Sequence, residues 1–257
     1  MTLLLFKLFA TPVIIAVAGW ASARWGAAAG GWMAGLPLTT GPISVFLAIE
    51  YGSVFASQAA LGTLLAMPAI AAFALGYVTA SRRGHGWLVC AVVSQLSYFL
   101  VVAVVVPFTF PTWMVFCLSF LSLGTGLAMV GLRNRPVLVS LSTRSVLVLR
   151  MIVTTTLVMV ITLVAPHLGP LLSGMLSTVL IVAGVLAAAS HRQHGPSGGN
   201  AVIRGMMMGQ ISFLGFLTIV WAVVPILGLA AYLVAIAVAL ILGMVASRTV
   251  TTLLPSS

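Results

Sequence analysis

Charged side chains capable of chemistry are few in this sequence, and Glu50 is its one acidic residue against eleven basic ones. Glu50 lies at the edge of a long apolar segment. A carboxylate at the centre of a membrane costs about 2.5–3.5 kcal/mol, and less near the surface. Two interpretations stay open: an ion pair with Lys7 that fastens adjacent helices, or a proton-coupling or substrate-binding role for both residues.

A second candidate site lies in residues 35–42, which read Gly-Leu-Pro-Leu-Thr-Thr-Gly-Pro. Proline removes a backbone donor and clashes with the preceding turn, so this segment predicts a break in an apolar helix. If the helix restarts at Pro42, Thr40 or Gly41 caps it, and its free amides face the membrane interior as a binding site for an anionic group. The alternative is a simple kink whose donors are satisfied by Thr39, Thr40 or a neighbouring helix.

Gln95, Tyr98 and Gln210 are the other polar side chains that we expect to face a cavity, although hydrogen bonding between helices is the commoner use of such groups. The four histidines have no carboxylates beside them with which to form a metal or acid–base site. We therefore expect a protein that is not an enzyme and holds no metal or cofactor. Residues 191–195, His-Arg-Gln-His-Gly, either bind phosphate or form an exposed loop.

Composition determines the elements that must position these residues. Hydrophobic residues make up 62% of the 257 residues and charged residues 5%, with a mean hydropathy of +1.27, so the chain has too little polar surface for a soluble globule. Long segments that are apolar on all sides predict membrane helices rather than the alternating strands of a barrel. We predict an all-α integral membrane protein with nine transmembrane helices, at residues 2–20, 31–49, 56–80, 86–107, 111–131, 145–165, 168–189, 201–224 and 226–245.

The basic residues indicate orientation, since nine helices place all ten arginines on one side and only Lys7 on the other. The positive-inside rule then puts the N-terminus outside and the C-terminus in the cytoplasm. The net charge of +10 is thereby explained without a nucleic-acid partner, and some arginines are expected to attract anionic lipid head groups. The arginines are Arg24, Arg82, Arg83, Arg133, Arg135, Arg144, Arg150, Arg192, Arg204 and Arg248.

An internal repeat is indicated by five glycines that recur with a shift of 143 residues: Gly26, Gly31, Gly41, Gly52 and Gly62 return as Gly169, Gly174, Gly184, Gly195 and Gly205. The shift relates helices 1–4 to helices 6–9 and leaves the fifth as a linker. Because an odd number of spans separates the two copies, we predict inverted repeats in a 4+1+4 arrangement. The first repeat covers residues 1–110, the linker helix and a basic loop 111–144, and the second repeat 145–257.

The two copies differ at the predicted break. The second copy is smoother at residues 178–185, Thr-Val-Leu-Ile-Val-Ala-Gly-Val, so we expect any site to be asymmetric. Gly174 and Thr178 keep the small-residue spacing of Gly31 and Gly35, which predicts close helix packing.

In the second copy, residues 168–174, 191–195 and 204–205 resemble small bacterial membrane proteins of the GlpM-like type. The resemblance covers roughly residues 150–225 and rests on glycines and one basic loop. It implies a bacterial inner membrane, and it brings no activity or site with it.

Inverted repeats are typical of alternating-access transporters. We therefore expect a carrier of a small anionic solute or a lipid-linked anion, with Thr39, Thr40, Gly41, Pro42, Lys7, Glu50, Gln95 and Gln210 as site residues. The competing interpretation is a non-transporting subunit that holds an inner-membrane complex together. The expected partners are the lipid bilayer, a small anion or anionic lipid, and a second copy or another membrane subunit.

Overall fold

The structure, a computed structural model, describes residues 12–13, 40–131 and 144–253. Outside the short segment 12–13, the described residues form helices and their connections, without a strand among them. The helices are α1 (Thr40–Tyr51), α2 (Ser53–Leu65), α3 (Met67–Arg82), α4 (Trp87–Val105), α5 (Thr112–Val130), α6 (Arg144–Ser177), α7 (Ile181–Leu227) and α8 (Ala231–Leu253), with a short 3₁₀ turn at Gly228–Ala230 before α8.

Five helical stretches of the described chain are long and apolar enough to cross a membrane: Ser53–Arg82, Trp87–Val105, Thr112–Val130, Met151–Ser177 and Ala183–Ala246. The sequence prediction of an all-helical membrane protein is thus confirmed. Helix formation follows from the composition, because in lipid every backbone polar group must be satisfied within its own segment. The spans predicted at 86–107 and 111–131 coincide with α4 and α5 to within two residues.

The stretch Ser53–Arg82, which joins α2 and α3, lies at the centre of the bundle. In its most apolar 18-residue segment 78% of the residues are buried, whereas in those of α4 and α5 the share is 22% each. Small residues on this stretch, such as Ala56, Ala60 and Ala74, let neighbouring helices approach, and Phe73 and Tyr77 fill the space between them. The outer faces of α4 and α5 carry exposed leucine, valine and phenylalanine side chains, as expected of surfaces solvated by lipid.

Three glycines with positive φ mark sharp corners in the helices. Gly52 (φ 88°) separates α1 from α2, and Gly195 (φ 71°) divides α7 into a short arm and a long arm. Gly169 (φ 72°) bends α6. Only glycine adopts this conformation without strain. Gly52 and Gly195 are 143 residues apart, so the same corner occurs at equivalent positions of the sequence repeat.

The expected smoothness of the second copy is wrong. The span predicted at 168–189 is not continuous, because α6 ends at Ser177 and α7 begins at Ile181. The intervening residues 178–180 are the counterparts of residues 35–37 under the shift of 143. This break contains no proline. Neighbouring side chains satisfy the carbonyl groups that the break exposes, as described below.

The repeated glycines have more than one structural role. Close packing is confirmed at Gly174, since a Cβ there would collide with the Ala59 carbonyl, and a Cβ at Gly62 would collide with the Leu171 carbonyl. Gly195 instead adopts a positive φ, a backbone conformation that favours glycine. Gly205 has no heavy atom within 4 Å of a Cβ position, so neither reason applies to it.

Candidate functional site

The end of α6, the start of α1 and the middle of α2 meet at one place, which we call the crossing and define by Thr40, Thr63, Gly174, Ser177 and Thr178. Thr40 Oγ1 donates to the Ser177 carbonyl oxygen over 3.3 Å. Thr63 Oγ1 lies 3.0 Å from the Gly174 carbonyl oxygen and 3.5 Å from Ser177 Oγ. Helix ends leave their last carbonyls without intrahelical donors, and these hydroxyls supply donors from other helices.

Backbone contact holds the crossing closed. The α2 backbone at Ala59 and Thr63 lies against Gly174, and the α6 backbone at Leu171 lies against Gly62. A side chain on either glycine would force the two helices apart. Interfaces of small residues with cross-helix hydrogen bonds are how membrane helices associate closely, since lipid gives no hydrophobic drive for their contact.

The crossing lies within a helical stretch that is long and apolar enough to span a membrane. This stretch begins at Ser53 and reaches Gly62 nine residues later, which corresponds to about 14 Å at 1.5 Å per residue. Thr40, Thr63, Ser177 and Thr178 are buried, which strengthens the electrostatic effects of their contacts.

A short helical arm begins beside the crossing. This 14-residue arm of α7 begins at Ile181, three residues after Thr178, and Thr40, the first described residue of α1, bonds to the end of α6. No side chain caps the start of α7. Amides in the first turn of a helix have no intrahelical acceptor, and each helix start carries the equivalent of about half a positive charge. The arrangement therefore offers a weakly positive place without a formally charged side chain.

Tyrosine hydroxyls surround this place. The Tyr98 hydroxyl from α4 lies 2.8 Å from both the Met175 carbonyl oxygen and Thr178 Oγ1. Tyr98 thus makes an interhelical hydrogen bond. The Tyr232 hydroxyl from α8 donates to the Ser44 carbonyl oxygen over 2.8 Å, and it lies the same distance from Ser44 Oγ. Five helices, α1, α2, α4, α6 and α8, thus place hydroxyl groups at or near the crossing, a set of neutral donors suited to an anion or to water.

The predicted site residues on α1 fall into two groups. Thr40, Gly41 and Pro42 are buried and are the first described residues of α1, and the rest of the predicted break, residues 35–39, lies outside the described residues. Glu50 lies near the other end of α1, ten residues from Thr40 or about 15 Å along the helix. The structure therefore separates Glu50 from the crossing. Thr39 and Lys7 lie outside the described residues.

Gln95 on α4 and Gln210 on α7 are the predicted amides. In each, the side-chain Oε1 is buried and has no hydrogen-bond partner among the described residues. Gln210 is 9% exposed and Gln95 is partly exposed. A buried amide oxygen without a donor costs about 1–3 kcal/mol, so a water or ligand donor at these positions would be stabilising.

The far end of the spanning stretch is basic. Arg82 donates to the Met129 and Val130 carbonyl oxygens at the end of α5, over 3.4 and 3.5 Å. Its charge is close enough to that of the buried Arg204 to repel it. We call this end, with Arg82, Arg83, Arg192 and Arg204, the basic end.

His191 ties the corner at Gly195 to the basic end. Its Nδ1 lies 3.3 Å from the hydroxyl of Tyr77, one turn before Ser81 on α3, and it is buried. Residues 191–195 thus lie within α7 and not in the predicted loop, with Arg192 and His194 exposed and His191 buried. Glycine at position 199 permits this contact, since a Cβ there would meet the Tyr77 hydroxyl.

Reasoning from the sequence missed Ser177, Thr178, Ser44 and Tyr232 as members of the site. The available signal for Thr178 is its position, because residues 178–180 are the repeat counterparts of residues 35–37, where proline predicts a break. Tyr232 had no such signal, because its contact with Ser44 joins residues 188 positions apart.

Comparison with known proteins adds no assignment: no family model, curated protein or solved structure matches this chain. The GlpM-like resemblance stays an expectation. Function must be inferred from the geometry of the crossing and of the basic end.

Proposed function

We propose that this protein is a membrane carrier of a small anion or a lipid-linked anion, and that the crossing is where the anion binds. The observation that supports this best is the Thr40–Ser177 contact, which joins α1 to the end of α6, where three residues separate it from the uncapped start of α7. Half-helix starts at the midplane bind anionic groups in several transporter folds. Each such start stabilises an anion by about 0.3–1 kcal/mol at exposed sites, and by more where water is excluded.

Alternating access is the mechanism that we infer from this arrangement. We propose nine spans in two inverted four-helix repeats around a linker helix, with the N-terminus outside and the C-terminus in the cytoplasm of a bacterial inner membrane. The structure then corresponds to a closed state, in which Thr40, Thr63 and Tyr98 bond to carbonyl groups instead of an anion. Movement of the end of α6 away from α1, α2 and α4 would free these donors for the substrate. In this scheme the basic end is the cytoplasmic entrance.

Gln95 and Gln210 belong to the same proposal as neutral groups along the path. Their oxygens accept hydrogen bonds, so they suit a hydrated or protonated anion better than a bare one. Glu50 and Lys7 are proposed to lie near the outer mouth.

The test measures the flux of chloride, nitrate, phosphate and short carboxylates into proteoliposomes under an imposed membrane potential. Thr40→Val preserves side-chain shape and removes the hydroxyl at the crossing. We expect it to reduce flux at least tenfold. Thr125→Val is the matched control, since the Thr125 hydroxyl bonds only within α5, to the Leu121 and Ser122 carbonyls, on an exposed face. Its flux should equal that of the wild type.

A covalent test examines the proposed movement. Cysteines at positions 40 and 177 lie beside the contact between the Thr40 hydroxyl and the Ser177 carbonyl, in a background where Cys117, the exposed native cysteine, is serine. Cross-linking should abolish flux, and reduction should restore it. Full flux in the cross-linked protein would rule out opening of the crossing as the transport step.

The second candidate function is a non-transporting subunit of a membrane complex. It is favoured by the closeness of the backbone contact at Gly62 and Gly174, which suits a permanently packed core. Absence of flux for every anion, together with a stoichiometric protein partner in native mass spectrometry, would establish this alternative.

A further inference from the structure

A groove of about 470 Å³ runs between α3 and α4 on the outside of the bundle. Its α3 wall extends from Ala72 to Arg83 and its α4 wall from Val89 to Val101, with His85 in the connection between the helices. Gly76 forms the floor, because α4 approaches so closely there that a Cβ would lie 2.6 Å from Ser97 Oγ. The volume is within the range of about 300–1,000 Å³ that ligand pockets occupy.

Polarity changes from one end of the groove to the other. Arg83 and His85 lie at one end, Thr79 follows one turn later, and the remainder is lined mostly by alanine, leucine and valine. The α3 wall spans twelve residues, with a rise of about 16 Å from Ala72 to Arg83. This length matches one leaflet, since half of the hydrocarbon core is about 15 Å thick. A charged end and an apolar channel one leaflet long complement a lipid head group and its acyl chain.

The basic side chains at this end of the groove favour an anionic head group. Among the described residues, neither the Arg83 nor the His85 side chain has a hydrogen-bond or ion-pair partner. The one acidic residue of the sequence, Glu50, precedes the opposite end of the stretch Ser53–Arg82. Arg82 and Arg204 add to the positive potential nearby. The counter-charge must therefore come largely from outside the chain.

We propose that this groove is a specific binding site for one anionic phospholipid of the leaflet at the basic end. The acyl chain lies between α3 and α4, and the phosphate contacts Arg83 and His85. This differs from general attraction of lipid head groups to arginines, because it requires a particular groove and two particular side chains. It does not depend on transport activity.

The test is a titration of the detergent-purified protein with palmitoyl-oleoyl phosphatidylglycerol or palmitoyl-oleoyl phosphatidylcholine, followed by native mass spectrometry. The wild type should retain one phosphatidylglycerol in preference to phosphatidylcholine. The double variant Arg83→Gln, His85→Gln should lose that preference, by about fivefold for each base that contributes a full charge. Arg192→Gln, which removes an exposed arginine at the same end but outside the groove, is the matched control and should keep the preference.

A second variant tests the channel for the acyl chain. Ala72→Phe fills the apolar end of the groove without altering its charge, and thermal unfolding checks that the variant is folded. It should weaken binding of the long-chain phosphatidylglycerol and leave a dihexanoyl phosphatidylglycerol unaffected. An equal loss of preference in Arg192→Gln and in the double variant would overturn the proposal, since that result means attraction by surface charge alone. Wild-type binding in both the double variant and Ala72→Phe would also overturn it.

Discussion

Alanine at Gly62 and alanine at Gly205 should have opposite effects on stability, although the two glycines are equivalent in the sequence repeat. A Cβ at Gly62 would collide with the Leu171 carbonyl oxygen and would lie 2.8 Å from the Leu171 carbonyl carbon. These are backbone atoms that cannot rotate away. Either α6 moves or the alanine strains α2. A Cβ at Gly205 meets no heavy atom within 4 Å.

The magnitude follows from two contributions. Alanine is better than glycine in a helix interior by about 0.8–1.0 kcal/mol, and this gain applies to both substitutions. Overpacking typically costs about 1–3 kcal/mol, and the upper value applies to Gly62 because its neighbour is backbone. We therefore expect Gly62→Ala to lower the free energy of unfolding by about 2 kcal/mol and Gly205→Ala to raise it by up to about 1 kcal/mol. The propensity gain cancels between the two variants, so their difference of about 3 kcal/mol measures the clash alone.

The assay is reversible unfolding in mixed micelles, with increasing SDS and tryptophan fluorescence as the signal. Gly62→Ala should unfold at clearly lower SDS than the wild type, and Gly205→Ala at the same or higher SDS. Equal midpoints for the two variants would refute the close approach of α2 and α6. A loss confined to Gly205→Ala would show that the outer face of α7 is in contact with something other than lipid.

Three further predictions concern single side chains. Gly195→Ala should lower the free energy of unfolding by about 1–2 kcal/mol despite the open space around it, because φ is 71° there. The same SDS titration measures this change, and an unchanged midpoint would contradict the positive φ at Gly195. Tyr98→Phe should lower the free energy of unfolding by about 0.5–1.5 kcal/mol, since it removes the donor to the Met175 carbonyl. An unchanged unfolding midpoint would show that this hydrogen bond is not formed in the membrane. Glu50→Gln should lower the yield of folded protein and keep flux per folded molecule, because Glu50 lies about 15 Å from the start of α1; loss of flux at normal yield would instead assign it a coupling role.

Much of the fold could be predicted because its causes are local. The ends of α4 and α5 follow from where apolar runs stop, at the connection around Gly86 and the turn before Pro111. The break that Pro37 and Pro42 predict lies outside the described residues. The arginines predict one basic end, and among the described residues the charge of Arg82 lies near that of Arg204.

The break at residues 178–180 could not be predicted in this way, because its cause is tertiary. Nothing in the local sequence prevents a continuous helix. The helix ends at Ser177 where Tyr98, Thr40 and Thr63 bond to the carbonyls of residues 174–177 from three other helices. Those donors are 77–137 positions away in the chain. The sequence pattern of one helix does not include these donors.

By itself the sequence determined that the chain is helical and lies in a membrane, because 62% hydrophobic residues leave lipid as the only suitable solvent and lipid forces backbone groups to bond internally. It also determined where the glycines recur. Only the tertiary structure decided which of those glycines matter and for what reason. Gly62 and Gly174 are fixed by helix contact, Gly52 and Gly195 by backbone conformation, and Gly205 by neither. The same residue type at equivalent positions has different roles because packing depends on neighbours that the local sequence does not name.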